Sequence, residues 1–185
     1  MNQMLMVLGA LMLLGVATLG INQMLVDKTT TMLEAEASLS AVSLAQTMID
    51  EVMTQNYDAA TDSGYGVDKK RVYSTDQFTA ANSLGCNSTE ASNVHLPDTA
   101  NTNGIFRSIT YYNDVDDYNN YSRVINTPIL GKFTIVDTVY YVLESNPDQK
   151  AYTQTYHKKI VVTVTHPNMS YGLKLSDVVV YRRYF

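Results

Sequence analysis

The densest set of metal-capable side chains lies in Tyr111-Tyr112-Asn113-Asp114-Val115-Asp116-Asp117-Tyr118-Asn119. Asp114, Asp116 and Asp117, with the neighbouring Asn amides, supply the hard oxygen donors that Ca²⁺ takes, at spacings a tight loop can bring together. The stretch is not an EF-hand, because the glycine at the sixth loop position and the glutamate at the twelfth are missing. Two readings follow: a Ca²⁺ site on Asp114, Asp116 and Asp117, or an acidic loop satisfied by its own turns and by solvent. Paired carboxylates also serve as general acid and base, yet nothing in the sequence marks out a pocket or a second role around them. His95, His157 and His166 are too widely spaced for a zinc motif, and phosphate loops, G-x-S-x-G and H-E-x-x-H are absent. Beyond the Ca²⁺ reading, no cofactor, catalytic residue or enzymatic activity is expected.

Cys86 is the single cysteine, which excludes an intrachain disulfide and a multi-cysteine metal site. It reads as a half-buried structural thiol, with an intermolecular disulfide as the alternative. The formal net charge of -5 and the short basic run Lys69-Lys70-Arg71 exclude a nucleic-acid partner, which requires clustered Lys and Arg. Charged residues are 17% of the chain, against roughly 25% in soluble domains. The surface is therefore expected to be rich in Ser, Thr, Asn and in the 14 tyrosines. Sequons at Asn87, Asn120 and Asn168, and the hydroxyl-rich segment 74–103, are candidate glycan sites.

The element that must organise this head is the opening, MNQMLMVLGALMLLGVATLGINQML, in which no charge precedes Asp27. Residues 4–21 are almost wholly apolar and, as a helix, are near the roughly 20 residues that cross a bilayer core. A cleaved signal peptide would show basic residues before the apolar run and a small-x-small site after it; neither is seen, so the segment reads as retained. The pattern continues without Gly or Pro from Ile21 to Ser63. Met32, Ala35, Leu39, Val42, Ala45, Ile49 and Val52 recur at three- and four-residue steps and form one apolar face, while Glu34, Glu36, Asp50 and Glu51 lie largely off it. One helix is predicted from about residue 3 to 55, roughly 75 Å long, apolar all round in its first half and amphipathic in its second.

Segment 56–104 carries no long periodic pattern and reads as an irregular surface connection, with a short piece near 76–84. Four strand-like runs follow at 105–112 (IFRSITYY), 131–143 (GKFTIVDTVYYVL), 156–166 (YHKKIVVTVTH) and 173–185 (LKLSDVVVYRRYF). Ser145-Asn146-Pro147-Asp148 and Pro167-Asn168 supply turns for an antiparallel meander. The predicted fold is α+β: a helix at 1–55, an irregular region at 56–104, and an antiparallel head of about four strands at 105–185, one face packed on the helical stripe. Arg182 and Arg183 either pair with carboxylates or lie on a solvated edge.

The uninterrupted apolar start, together with Ala41-Val42-Ser43-Leu44-Ala45-Gln46-Thr47-Met48-Ile49-Asp50-Glu51-Val52, resembles the N-terminal helix of the type IV pilin and pseudopilin superfamily. The second segment is similar to the A-x-x-LAQ-x-x-IEE stretch of minor pilins and pseudopilins. The resemblance covers residues 1 to about 55 and implies a lollipop-shaped subunit, held in the inner membrane and then assembled with copies of itself into a filament outside the cell or at its surface. In such a filament Leu5, Leu8, Leu11, Leu14 and Val16 would make the core contacts. Gly15 and Gly20 would either permit local extension of the helix or let helices approach closely. The head would govern adhesion and lateral contact. Leu5 stands where members of that family carry a glutamate, so a looser or differently compensated docking is expected, with the Met1 amine facing the amides of Asn2 and Gln3. Two other readings remain at this stage: a pseudopilin of a secretion machine, and a monomeric single-pass anchored binding protein.

Overall fold

The computed structural model describes residues 2–61 and 72–182. The Met1 amine, the Lys69–Arg71 run, Gly64, Gly66 and Arg183 lie outside the described residues. α1 is one continuous helix, Asn2–Met53, of 52 residues and so roughly 78 Å. It is long and apolar enough to cross a membrane by length and composition. Thr18 does not interrupt this character, since its hydroxyl donates back to the carbonyls of Leu14 and Gly15, both at 2.9 Å.

The second half of α1 packs on a six-stranded mixed sheet, mainly across its β5 and β6. The strands are β1 (Asp98–Thr99), β2 (Ser122–Thr127), β3 (Gly131–Leu143), β4 (Asn146–Lys150), β5 (His157–Thr165) and β6 (Leu173–Val180), in the order β1-β2-β3-β5-β6, with β4 folding back on the end of β3. β1 pairs β2 in parallel and the remaining pairs are antiparallel. The predicted strands in β3, β5 and β6 are present, but the sheet is mixed and has six strands where four antiparallel ones were expected.

Two corrections concern individual elements. Residues 105–112 are not a strand: Arg107–Tyr111 form the short helix α3. The β-branched and aromatic residues there favour a strand, but Asp98 on β1 accepts hydrogen bonds from the backbone N–H groups of Arg107 and Ser108 and so caps a helical turn from a distance. The strands missing from the expected set are β1, β4 and β2, the last of which contains Arg123 and Asn126 and has no clean alternation.

The helical face on the sheet matches the expected stripe at Ala45, Ile49 and Val52 but departs from it nearer the N-terminus. Ala37, Ala41, Ala45, Met48, Ile49 and Val52 are buried, whereas Met32, Leu39 and Val42 are exposed at 72%, 73% and 46%. Alanines at every fourth position bring the helix backbone close to the sheet, where Phe133, Ile135 and Val139 of β3 and Ile160, Val162 and Val164 of β5 complete the core. A second cluster, Tyr57, Val72, Phe78, Tyr141 and Ala151, sits beyond the helix end. Between the two halves, Asn87 caps the short helix α2 (Ser88–Asn93) in a reciprocal box with Glu90. Many tyrosines are structural: Tyr57, Tyr112, Tyr118, Tyr121 and Tyr141 are buried, while Tyr73, Tyr152 and Tyr171 face solvent.

Candidate functional site

Two features stand out: the unpacked surface of α1, and a charged seam buried where α1 meets the head. On the first, Leu5, Leu8, Leu11, Leu14 and Val16 are between 57% (Leu8) and 71% (Val16) exposed. A Cβ added at Gly15 or Gly20 would meet nothing within 4 Å, so these glycines serve no packing inside the single chain. Beyond this segment the exposed apolar side chains continue as Ile21, Leu25, Met32, Leu39 and Val42. Met4, Val7, Leu11, Leu14, Thr18, Ile21, Leu25, Lys28, Met32, Ala35, Leu39 and Val42 follow one another at alternating steps of three and four. Leu5, Met6, Leu8, Leu13, Val16 and Leu19 lie off this series and are just as exposed, so the first half of α1 is apolar on every side. The series faces away from the sheet that covers Ala37, Ala41 and Ala45.

The charged seam arises because the inward face of the sheet, apolar by alternation, carries Arg123 on β2, Asp137 on β3 and Lys158 on β5, all buried. Arg123 forms a fork with Glu51, Nη1 to Oε2 at 2.7 Å and Nη2 to Oε1 at 2.6 Å. Its Nε donates to the Tyr121 hydroxyl at 3.0 Å and its Nη2 to Ser108 Oγ at 2.7 Å. Tyr121 donates to Asp98 Oδ2 at 2.6 Å, and the Tyr118 hydroxyl donates to Glu51 Oε1 at 3.0 Å. Burial raises the pKa of Tyr118 and Tyr121, and the carboxylate partner holds Arg123 charged against its own desolvation. Glu51, read from the sequence as lying largely off the apolar stripe, is therefore the side chain that ties the end of α1 to the head. Asp137 is fully buried, and neither of its oxygens has a hydrogen-bond partner among the described residues. Burial raises its pKa well above the carboxylate range.

The acidic loop lies at the other end of this seam. Asp114 Oδ1 accepts from the backbone N–H of Asp116 and Asp117, and Asp117 Oδ2 accepts from those of Asn113 and Asp114. Asp116 points to Lys158, its Oδ1 2.7 Å from Nζ. Lys158 Nζ also donates to Asp58 Oδ2 and to the Tyr57 carbonyl, each at 2.8 Å, and it lies under the rings of Tyr57 (4.6 Å) and Tyr141 (5.3 Å). Asp114, Asp116 and Asp117 are thus all buried, and the cation among them is the ammonium of Lys158. Among the described residues no three His, Cys, Asp or Glu side chains are placed to hold a metal ion.

The sequence placed the acidic triplet in one loop; in the structure Asp116 and Asp117 lie in a 3₁₀ turn, Asp116–Tyr118, with Asp114 just before it. The sequence did not single out Lys158, Arg123, Asp58 or Glu51 as partners. The signal for Lys158 was legible after the fact: it is in phase with Ile160, Val162 and Val164. Cys86 is half-buried against the main core. His157 and His166 stand at opposite ends of β5; His166 Nε2 lies 2.8 Å from the Leu130 carbonyl, and its ring stacks on Phe133. Arg182 is exposed. Compared with known proteins, the chain matches no family model, no curated protein and no solved structure.

Proposed function

We propose that this protein is the structural subunit of a pilus-like filament outside the cell, held in the membrane before assembly and built into the filament by packing of copies of α1. The observation that carries this reading is the division within one unbroken helix. Residues 3–29 lie free of the head, while Glu34 accepts from Ser170 and Ala37 to Val52 dock on it. A simple anchor does not require the helix to run seamlessly into a head. Nor does it require the free face to continue through Met32, Leu39 and Val42 alongside the docked face. In lipid the apolar half is satisfied by acyl chains. In a filament it is satisfied by neighbouring helices, whose close approach Gly15 and Gly20 permit. The charged seam makes no use of solvent or substrate and acts as the joint between stalk and head.

The test is electron microscopy of filaments sheared from intact cells, with the subunit identified by mass spectrometry. Long filaments containing this chain are expected. Recovery of the protein in the membrane fraction alone, with none in filaments, would overturn the reading in favour of an anchored protein or a secretion piston.

A further inference from the structure

We propose that Lys158 and Asp116 become joined by an intramolecular isopeptide bond, formed by condensation of the lysine amine with the aspartate carboxyl and loss of one water. The reacting groups are already in contact, Nζ lying 2.7 Å from Asp116 Oδ1, on a lysine and an aspartate that are 0% and 2% exposed. A held pair of this kind reacts with an effective molarity of up to about 10⁵–10⁸ M, which offsets the ordinary preference of an amine and a carboxylate in water to stay apart. The Tyr57 and Tyr141 rings cover the amine and exclude water.

The two aspartates that touch Nζ are not equivalent. Asp58 accepts hydrogen bonds from the N–H of Ala60, the N–H and hydroxyl of Thr79, and the Tyr141 hydroxyl, so its oxygens are already engaged by several donors. It is a proton acceptor and a poor electrophile. Asp116 instead shares a carboxyl–carboxyl hydrogen bond with Asp114. Burial, then the neighbouring Asp116, push Asp114 up to about 9, so it carries a proton at neutral pH and polarises the Asp116 carbonyl.

The step balances within this cluster. Asp58 takes one proton from the Lys158 ammonium, and the freed Nζ electron pair forms a bond to Asp116 Cγ. The bond from Cγ to one carboxyl oxygen breaks, and that oxygen departs as water with the proton of Asp114 and a second amine proton. The third amine proton remains on the amide nitrogen. The net charge of the cluster does not change, and neither oxidant nor co-reactant is required.

The test is the intact mass of the full-length folded protein, purified in detergent and denatured before measurement, followed by peptide mapping. The wild-type chain is expected to be lighter than its sequence mass by one water, with a branched peptide joining the segments that contain Asp116 and Lys158. K158R, which keeps the cation, and D116A are each expected at full mass. D114A is expected to gain the cross-link about 10²–10⁴-fold more slowly, the usual contribution of a positioned general acid. A folded wild-type chain at full mass overturns the proposal and leaves the cluster as an ion pair only. So does a water loss that maps to any other residue, such as a succinimide at an aspartate.

Discussion

Arg123 on β2 holds Glu51, in the last turn of α1, through two hydrogen bonds of 2.7 and 2.6 Å, and both side chains are largely shielded from solvent. This pair is the bidentate polar joint between the sheet and a helix that is otherwise docked through Ala37, Ala41, Ala45, Met48, Ile49 and Val52. Removing one partner leaves the other charge in a dry setting. Arg123→Met is therefore expected to destabilise the head by about 3–5 kcal/mol, whereas the double variant E51M/R123M recovers most of that loss. Denaturant titration of the full chain in detergent, followed by near-ultraviolet circular dichroism, measures both.

Tyr121 is the hub that links this joint to Asp98 and Ser108. Tyr121→Phe keeps the ring, which packs edge-on against Tyr112 and Tyr118, and removes only the hydroxyl. Asp98 then loses a buried donor, at a cost of about 1–3 kcal/mol in the same titration. A change too small to detect would show that the hydroxyl network contributes nothing to docking.

The acidic loop sets a pH dependence. Burial is the largest cause that pushes Asp117 up to about 7 and Asp114 up to about 9, from an ordinary value of 3.8. Both groups therefore keep protons in the folded head over a range where the unfolded chain has released them. The linked stability is fully present below about pH 3.8, and it declines as pH rises through 7 and then 9. Asp114→Asn retains the Oδ1 acceptor for the Asp116 and Asp117 amides and removes the ionisation. Its melting temperature is expected to fall less steeply between neutral pH and pH 9 than that of the wild type.

The two faces of α1 separate assembly from folding. Leu39→Glu and Val42→Glu alter exposed positions, so the melting temperature of the head should move by no more than about 0.5 kcal/mol equivalent. Filament yield should nevertheless collapse. Ala41→Leu enlarges a side chain that is fully buried on the sheet and should cost about 1–3 kcal/mol of stability. Unfolding curves and quantification of sheared filaments, run on the same variants, distinguish the two effects.

Gly15→Ala and Gly20→Ala meet no steric obstacle within the chain, and each should stabilise the helix by about 1 kcal/mol. Membrane-bound subunit should then be unchanged while filaments become fewer, because an added methyl holds neighbouring helices apart. Unchanged filament yield in both variants would remove these glycines from the assembly surface.

The helix and three of the strands were legible because each follows a single dominant period. β5 alternates buried and half-buried from His157 onward, and β3 alternates from Phe133 to Tyr141. What escaped was set by contacts distant in sequence. α3 forms because Asp98 caps it, against the local preference of Ile109 and Tyr111 for a strand. β4 is built of Asn146, Pro147 and Asp148, residues that read as a turn, and it pairs only as a short hairpin arm. The docked stripe agrees with the periodicity from Ala45 onward and departs from it before that, because large apolar residues outweigh alanine in any periodicity. Met32 and Leu39 drew attention away from Ala37 and Ala41, the residues small enough to let a sheet come near. The charged seam was invisible for a related reason. Arg123, Asp137 and Lys158 occupy positions where alternation asks for apolar side chains, and the partners of Arg123 (Glu51) and of Lys158 (Asp58 and Asp116) come from three separate segments.

α1 has no break between its exposed half and its last turn, so it behaves mechanically as a strut. Tension on the stalk arrives at the head as sliding of the helix across β5 and β6. Alanine contacts yield readily to sliding, because one methyl passes another with little change in area. The Arg123 fork does not, since its paired hydrogen bonds demand one alignment and are lost together when Glu51 is displaced. Parting a head from its stalk thus requires breaking this directional clasp together with the apolar contact of Ala37, Ala41, Ala45, Met48, Ile49 and Val52.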